Sequence, residues 1–260
     1  TPMTYPPWTV LHVPHDSTAV PARVRAQLLL NEAELGRELV RMTDHRTLAI
    51  FADPSSDAAI VSAPVSRLVV DVERFPDDAD EPMAARGMGV VYTMSSQLTP
   101  LRRSLDAGER EALIQAYYRP HHARLEAAVA TAIEQYGRCL VIDCHSFPSV
   151  ALPYETADSS NARPDICIGT DDFHTSDELA SAFTAAFQHA GWRVKLNEPF
   201  AGALVPLSRY RRDTRVSAVM VEVNRRLYLR ETDATPSADF QRVAQRIRES
   251  CNEAIASLGA

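Results

Sequence analysis

Short continuous apolar runs alternate along this chain with longer stretches of helical spacing. Residues 8–13 form the first apolar run and lead directly into Pro14-His15-Asp16-Ser17. Residues 22–41 place Leu28, Leu29, Leu35, Leu39 and Val40 on one side of a helix. Residues 47–51 read as a short helix or turn. Residues 59–61 and 67–72 read as strands, the second carrying the β-branched pair Val69 and Val70. Residues 107–134 are the longest helical pattern, interrupted by Pro120, and residues 139–143 are an unbroken apolar run of the kind found in the middle of a parallel sheet. Further strands are expected at 165–169, 192–196 and 216–223, and helices at 176–190, ended by Gly191, and at 239–257. Loops fall at 75–89, 147–164 and 199–207. This alternation predicts one α/β domain over residues 1–260, with a mixed, largely parallel sheet flanked by helices.

Composition narrows the function classes. Hydrophobic residues make up 45% and charged residues 23% of the 260, enough apolar material for one sizeable core. The net charge of −7 is spread along the chain, which argues against nucleic acid as a partner, since phosphates need a basic stripe. It does not argue against a small anionic substrate, because a few arginines in a cleft outweigh the global sign locally. Cys139, Cys144, Cys167 and Cys251 form no paired-cysteine motif, so free thiols in a reducing cytoplasm are the expectation. Residues 1–8 carry three prolines and no apolar core, unlike a signal peptide, and no apolar run approaches the length of a membrane span. Oligomeric state is left open.

In open α/β sheets, ligands bind beyond the carboxyl ends of the strands. Strand one is followed by His15 and Asp16, the expected strand 67–72 by Arg74, and strand 139–143 by His145 and Ser146. The last strand holds Glu222 and ends at Asn224 and Arg225. Two imidazoles, a carboxylate and two arginines at one sheet end have the composition of a metal site with an anion-binding rim. Zinc takes three such ligands and keeps one position for water, whose pKa it lowers to about 7. His15 and His145 are the expected ligands, with Asp44 of Met42-Thr43-Asp44-His45 as the third; taken alone, Asp44 reads as a cap for the segment after it. Asp143 shares a strand face with His145 and offers a second role, orienting a ligand histidine. A buried Glu222 needs a metal or an arginine such as Arg67 beside it. Of His121 and His122, one is expected at solvent and the other near the site, while His12, His45, His174 and His189 read as structural or surface residues. The acidic run Asp77, Asp78, Asp80, Glu81 reads as a solvated loop.

Several segments, in order, resemble the N-formylglutamate amidohydrolases. They are Val13-Pro14-His15-Asp16-Ser17 with Val20-Pro21, Met42-Thr43-Asp44, Asp71-Val72-Glu73-Arg74, Tyr118-Arg119-Pro120-His121-His122, Ile142-Asp143-Cys144-His145-Ser146-Phe147, Asp165 to Thr170, Pro199-Phe200-Ala201-Gly202 and Val221-Glu222-Val223-Asn224-Arg225. The resemblance spans nearly the whole chain. It implies a phosphorylase/hydrolase-like, zinc carboxypeptidase-like fold with one Zn2+ held by His15, Asp44 and His145. It implies Glu222 as general base and then acid, and Arg74 as a catalytic or substrate-binding arginine. His122, Arg209 and Arg211 are expected to join Arg74 around the substrate carboxylate. The implied reaction turns N-formyl-L-glutamate into formate and L-glutamate, as in histidine breakdown. Departures stand at Asp16-Ser17, where the family reads Ser-Gly, at Glu73, where it reads Asn, and at Met220, where it reads Gln; they leave the zinc chemistry intact and bear on acyl specificity. A zinc carboxypeptidase or peptide amidase with a longer substrate, and a non-catalytic carboxylate-binding protein, are the competing readings.

Overall fold

The computed structural model describes residues 4–155 and 162–259, so part of the loop expected at 147–164, and the first three residues, lie outside the described residues. In chain order the elements are β1 (Thr9–Val13), α1 (Ala22–Arg25), α2 (Glu32–Met42), α3 (Thr47–Phe51), β2 (Ala59–Ser62), α4 (Ala107–Leu113), α5 (Arg119–Tyr136), β3 (Cys139–Phe147), β4 (Ile166–Gly169), α6 (Asp177–His189), β5 (Val194–Leu196), β6 (Val216–Asn224), β7 (Leu229–Arg230), β8 (Thr235–Pro236) and α7 (Phe240–Ser257). Six strands form one sheet in the order β2-β1-β3-β6-β4-β5, and β7 with β8 forms a small hairpin. The sheet is mixed: β2, β1, β3 and β6 run parallel, β4 runs antiparallel to β6, and β5 follows β4.

Strand alternation divides the sheet into two unlike faces. Leu11, Val13, Leu140, Ile142, Cys144, Val219, Val221 and Val223 pack with α3, α6 and α7 into the larger core. The opposite face is apolar only where its strands begin. There Val10, Val141, Val216 and Ala218 meet Leu125, Val129, Ala132 and Ile133 of α5. Further along the same face, alternation presents His12, Asp143, His145 and Glu222 instead, all buried. Register completes the cluster: His12 lies beside Asp143, and His145 beside Glu222.

Several expected elements change shape for local reasons. The helix expected over 22–41 breaks into α1 and α2 because Asn31 caps α2, accepting from Glu34 N while the Glu34 carboxylate accepts from Asn31 N. The helix expected over 107–134 runs on to Tyr136, but widens into a π-turn at Ile114–Tyr118 just before Pro120. Proline has no N–H to return to the carbonyl four residues back, and the wider turn absorbs that missing bond. Residues 67–72 are not a strand. They form a turn that buries Leu68, Val69 and Val70, and its ladder bonds are replaced by Arg102, which donates to the Leu68 carbonyl at 2.6 Å. Nor is the acidic run uniformly solvated: Glu81 is buried and accepts from Phe75 N and Met83 N, starting a 3-10 turn at Pro82–Arg86.

Gly169, the last residue of β4, lies against the cleft segment 199–202. A Cβ there would meet Met220 Cε at 2.3 Å and the Gly202 carbonyl oxygen at 2.5 Å, and a backbone oxygen cannot swing aside. Gly169→Ala is expected to cost about 1–3 kcal/mol through overpacking. A urea titration of the variant would show it as a lowered midpoint, and an unchanged midpoint would contradict this tight apposition.

Candidate active site

The polar stretch of the sheet opens into a cleft lined by residues that include His15, Asp44, Glu73, Arg74, His145 and Glu222. β1 delivers His15 two residues past its end, and β3 delivers His145 directly. The segment after α2 brings Asp44 alongside β1, where Asp44 N donates to the His15 carbonyl at 2.9 Å. Asp16 caps α3 by accepting from Arg46 N and Leu48 N, so Asp44 does not serve as a helix cap.

The two imidazoles meet with ring centroids 5.1 Å apart. Asp44 Oδ2 lies 3.1 Å from His145 Nδ1 and 3.6 Å from His15 Nδ1. The three ligating atoms fall within 4.8 Å of one another, as atoms around one metal ion must. Each histidine is held from behind. His15 Nε2 is 2.8 Å from Asp71 Oδ1, and His145 Nε2 is 3.1 Å from Asp143 Oδ1. This carboxylate–histidine arrangement fixes the tautomer that leaves Nδ1 free to ligate. Among the described residues, His15 Nδ1 is buried and has no hydrogen-bond partner, a cost that a bound cation would relieve. The residues therefore fit a zinc-like ion in number, donor type and tautomer.

The electrostatics follow from burial and pairing. Burial raises the Asp44 carboxyl, but the hydrogen bond to His145, the His15 imidazole 3.6 Å away and the Arg225 charge, 2.8 Å away, outweigh it and hold it well below the usual carboxylate range. Asp71 is likewise held down against burial by Arg67, His15 and Arg74. Glu222 goes the other way. Burial is the largest effect and the neighbouring Asp44 adds to it; His145 and the arginines only partly compensate, leaving its pKa raised to about 8. Its Oε2 is buried and has no hydrogen-bond partner among the described residues.

The structure brings together His15, Asp44, His145, Glu222 and Arg74, and leaves three other expected residues outside the cleft lining. The loop after Ala201 must travel back to the start of β6, and it carries Arg209 and Arg211 away with it. Arg209 pairs with Glu126 at 2.8 Å and Asp213 at 2.7 Å, and the exposed Arg211 lies 3.9 Å from Asp171. His122 bonds to the Val72 carbonyl at 2.9 Å and stacks on Tyr118, and burial lowers its pKa to about 4. Its neighbour His121 lies on the sheet-facing stripe of α5 with Leu125 and Val129, so neither imidazole is at solvent as expected. Arg67 pairs with Asp71 rather than with Glu222. Sequence reasoning missed Glu73 in the cleft wall, the support of His15 by Asp71, and His12, read as structural although its spacing in His12-Val13-Pro14-His15 was the available signal.

The N-formylglutamate amidohydrolase family profile matches residues 8–229. This chain belongs to that family. An N-formylglutamate deformylase of Pseudomonas putida is 27% identical over 210 residues, covering 78% of this chain and 76% of its own length. Among solved structures, an N-formylglutamate amidohydrolase from Ralstonia eutropha JMP134 shares the fold at a TM-score of 0.83 and 22% identity, over 97% of this chain and 95% of that one. A gene product of Agrobacterium tumefaciens shares it at a TM-score of 0.67 and 21% identity, over 97% and 92%. Membership of this family makes the chain a hydrolase of the N-formylglutamate type.

Two predictions follow from these contacts. Arg225→Ala leaves Asp44 buried without its guanidinium and is expected to cost about 3–5 kcal/mol, read by chemical denaturation in chelator. The second concerns Glu222. Its folded pKa is raised to about 8, so the folded chain keeps a proton that the unfolded chain releases near the ordinary value of 4.5. Stability of the metal-free protein is therefore lost as pH rises from about 4.5 to 8. Glu222→Gln removes this contribution, so in chelator its melting temperature should gain on the parent between pH 5 and pH 8. A constant gap across that range would show that Glu222 titrates normally.

Proposed function

We propose that this chain is a zinc-dependent amidohydrolase of a small anionic N-acyl amino acid, with N-formyl-L-glutamate, giving formate and L-glutamate, as the substrate its family relationship favours. The observation that carries the reading is the facing pair His15 and His145, each backed by a carboxylate at Nε2 and turned with Nδ1 toward Asp44. His15, Asp44 and His145 would hold the ion. Bound there, zinc supplies polarisation of the amide carbonyl and acidification of a water molecule.

The remaining work falls to the chain. Glu222 lines the same cleft with an oxygen that has no partner among the described residues, suited to accept the water proton and return it to the leaving amine. A pKa held up by burial falls when a cation is brought near, so the base is ionised in the loaded enzyme. Arg74 lines the cleft with Nε on the Met88 carbonyl at 3.2 Å. Its terminal nitrogens suit a bidentate grip on the substrate carboxylate, which fixes the amide relative to Glu222. The four free cysteines, all buried, suit the reducing cytoplasm proposed as its location.

Metal analysis of the purified protein, with formate release from N-formyl-L-glutamate and related N-acyl amino acids, tests the reading. One equivalent of zinc and turnover are expected. Glu222→Gln should lower kcat by about 10²–10⁴ with the metal retained. Arg74→Ala should act mainly on KM. Loss of stoichiometric metal is expected from His15→Ala and from His145→Ala; its retention in both would refute the ligand assignment. A zinc-loaded protein that hydrolyses no N-acyl amino acid would refute the activity.

A further inference from the structure

We propose that His12 is a positioning residue for His145, acting through Asp143 and Glu73; this rests on reading His15, Asp44 and His145 as a metal site. His12 Nδ1 lies 2.8 Å from Asp143 Oδ1 and 3.1 Å from Glu73 Oε1. The same two oxygens lie 3.1 and 3.7 Å from His145 Nε2. Two carboxylate oxygens therefore stand between two imidazoles, one at the cleft and one behind it.

The clamp has a physical reason. Two carboxylates this close repel one another in a poorly screened interior. The His12 imidazole, hydrogen-bonded to Asp143 and 3.1 Å from Glu73, offsets that repulsion and keeps both turned toward His145. Without it, Glu73 is free to swing into the cleft it already lines. His12 cannot itself swing: it is fully buried in β1, and its Nε2 meets His121 Nε2 at 2.8 Å, on a residue anchored in α5. Asp143 is fixed as well, since its Oδ2 accepts from Leu204 N at 3.0 Å. His12 does not line the cleft and has no route to substrate. Its effect passes through the carboxylates to the orientation of His145, whose Nδ1 then faces Asp44.

The test uses the full chain and reads the metal without substrate. Zinc affinity is measured by chelator competition, and the visible spectrum of the cobalt(II)-loaded protein reports ligand geometry. His12→Ala and His12→Gln remove the donor at the Nδ1 position. They are expected to weaken zinc binding about tenfold or more and to alter the cobalt bands. His12→Asn places an amide nitrogen near the Nδ1 position and is expected to restore affinity and spectrum toward the parent. Parent affinity in both His12→Ala and His12→Gln overturns the proposal. Should His12→Ala fail to fold, His12→Gln and His12→Asn, both polar and of similar bulk, carry the comparison, and equal affinities in the two overturn it. Glu73→Gln, at the cleft wall, is expected to weaken zinc binding in the same direction, and parent affinity there overturns the part assigned to Glu73. Failure of the parent protein to bind a divalent ion is a separate result, which refutes the metal site itself.

Discussion

The buried carboxylate of Asp44 ties the cleft together. One oxygen takes the Arg225 guanidinium at 2.8 Å; the other faces His145 and His15 and accepts from Ser146 N at 3.2 Å. These contacts join the segment after α2 to the ends of β1, β3 and β6. A carboxylate is stable in such surroundings only while each partner stays in place. Arg225 reaches further, donating to the Arg41 carbonyl at 2.5 Å, so the last turn of α2 is pinned by the same group. The site and the packing of its surroundings are thus one structure.

Sheet register does the rest of the assembly. A side chain two positions along a strand returns to the same face. Asp143 and His145 therefore share a face by necessity, and parallel pairing sets His12 against the first and Glu222 against the second. A shift of one residue would turn all four into the apolar core on the other face, at a cost of several buried charges. The alternation that buries Leu140, Ile142 and Cys144 is also what specifies the chemistry opposite them.

Much of this was legible in the sequence where one stretch of chain carried its own signal. The apolar runs at β1, β3, β4 and β6 announced buried strands, and a histidine following two of them announced a site. Residues 67–72 misled because their apolar run is buried by a turn, and periodicity reports burial without reporting backbone shape. Arg209 and Arg211 misled because nearness in sequence to Gly202 says nothing about where a return loop travels. The partners of Asp71, Glu73 and His12 were beyond reach for a related reason. His12 meets Asp143 across 131 positions, and His15 meets Asp71 across 56, pairings that only the folded topology creates.

The charge of the assembled groups bears on how many ions the cleft would hold. Asp44, Asp71, Glu73, Asp143 and Glu222 oppose Arg67, Arg74 and Arg225. His12 adds one positive charge: burial works against its protonation, but the hydrogen bond to Asp143 and the nearby Glu73 carboxylate prevail and raise its pKa to about 9. The His145 imidazole adds another: burial works against its charge, but Asp143, Asp44 and Glu73 prevail and hold its pKa well above the usual imidazole range. Fully ionised, the metal-free set is neutral, and burial is what keeps the proton on Glu222. One divalent ion with neutral ligand histidines would leave a single positive charge, which would favour an ionised Glu222 and an anionic substrate. His12, Glu73 and Asp143 have the spacing of a second cation site. A divalent ion there would have to displace the His12 proton and would raise the positive excess further in a poorly solvated interior. The proton on His12 already neutralises that trio in part, so the electrostatics that leave room for the proposed ion at His15, Asp44 and His145 argue against another beside it.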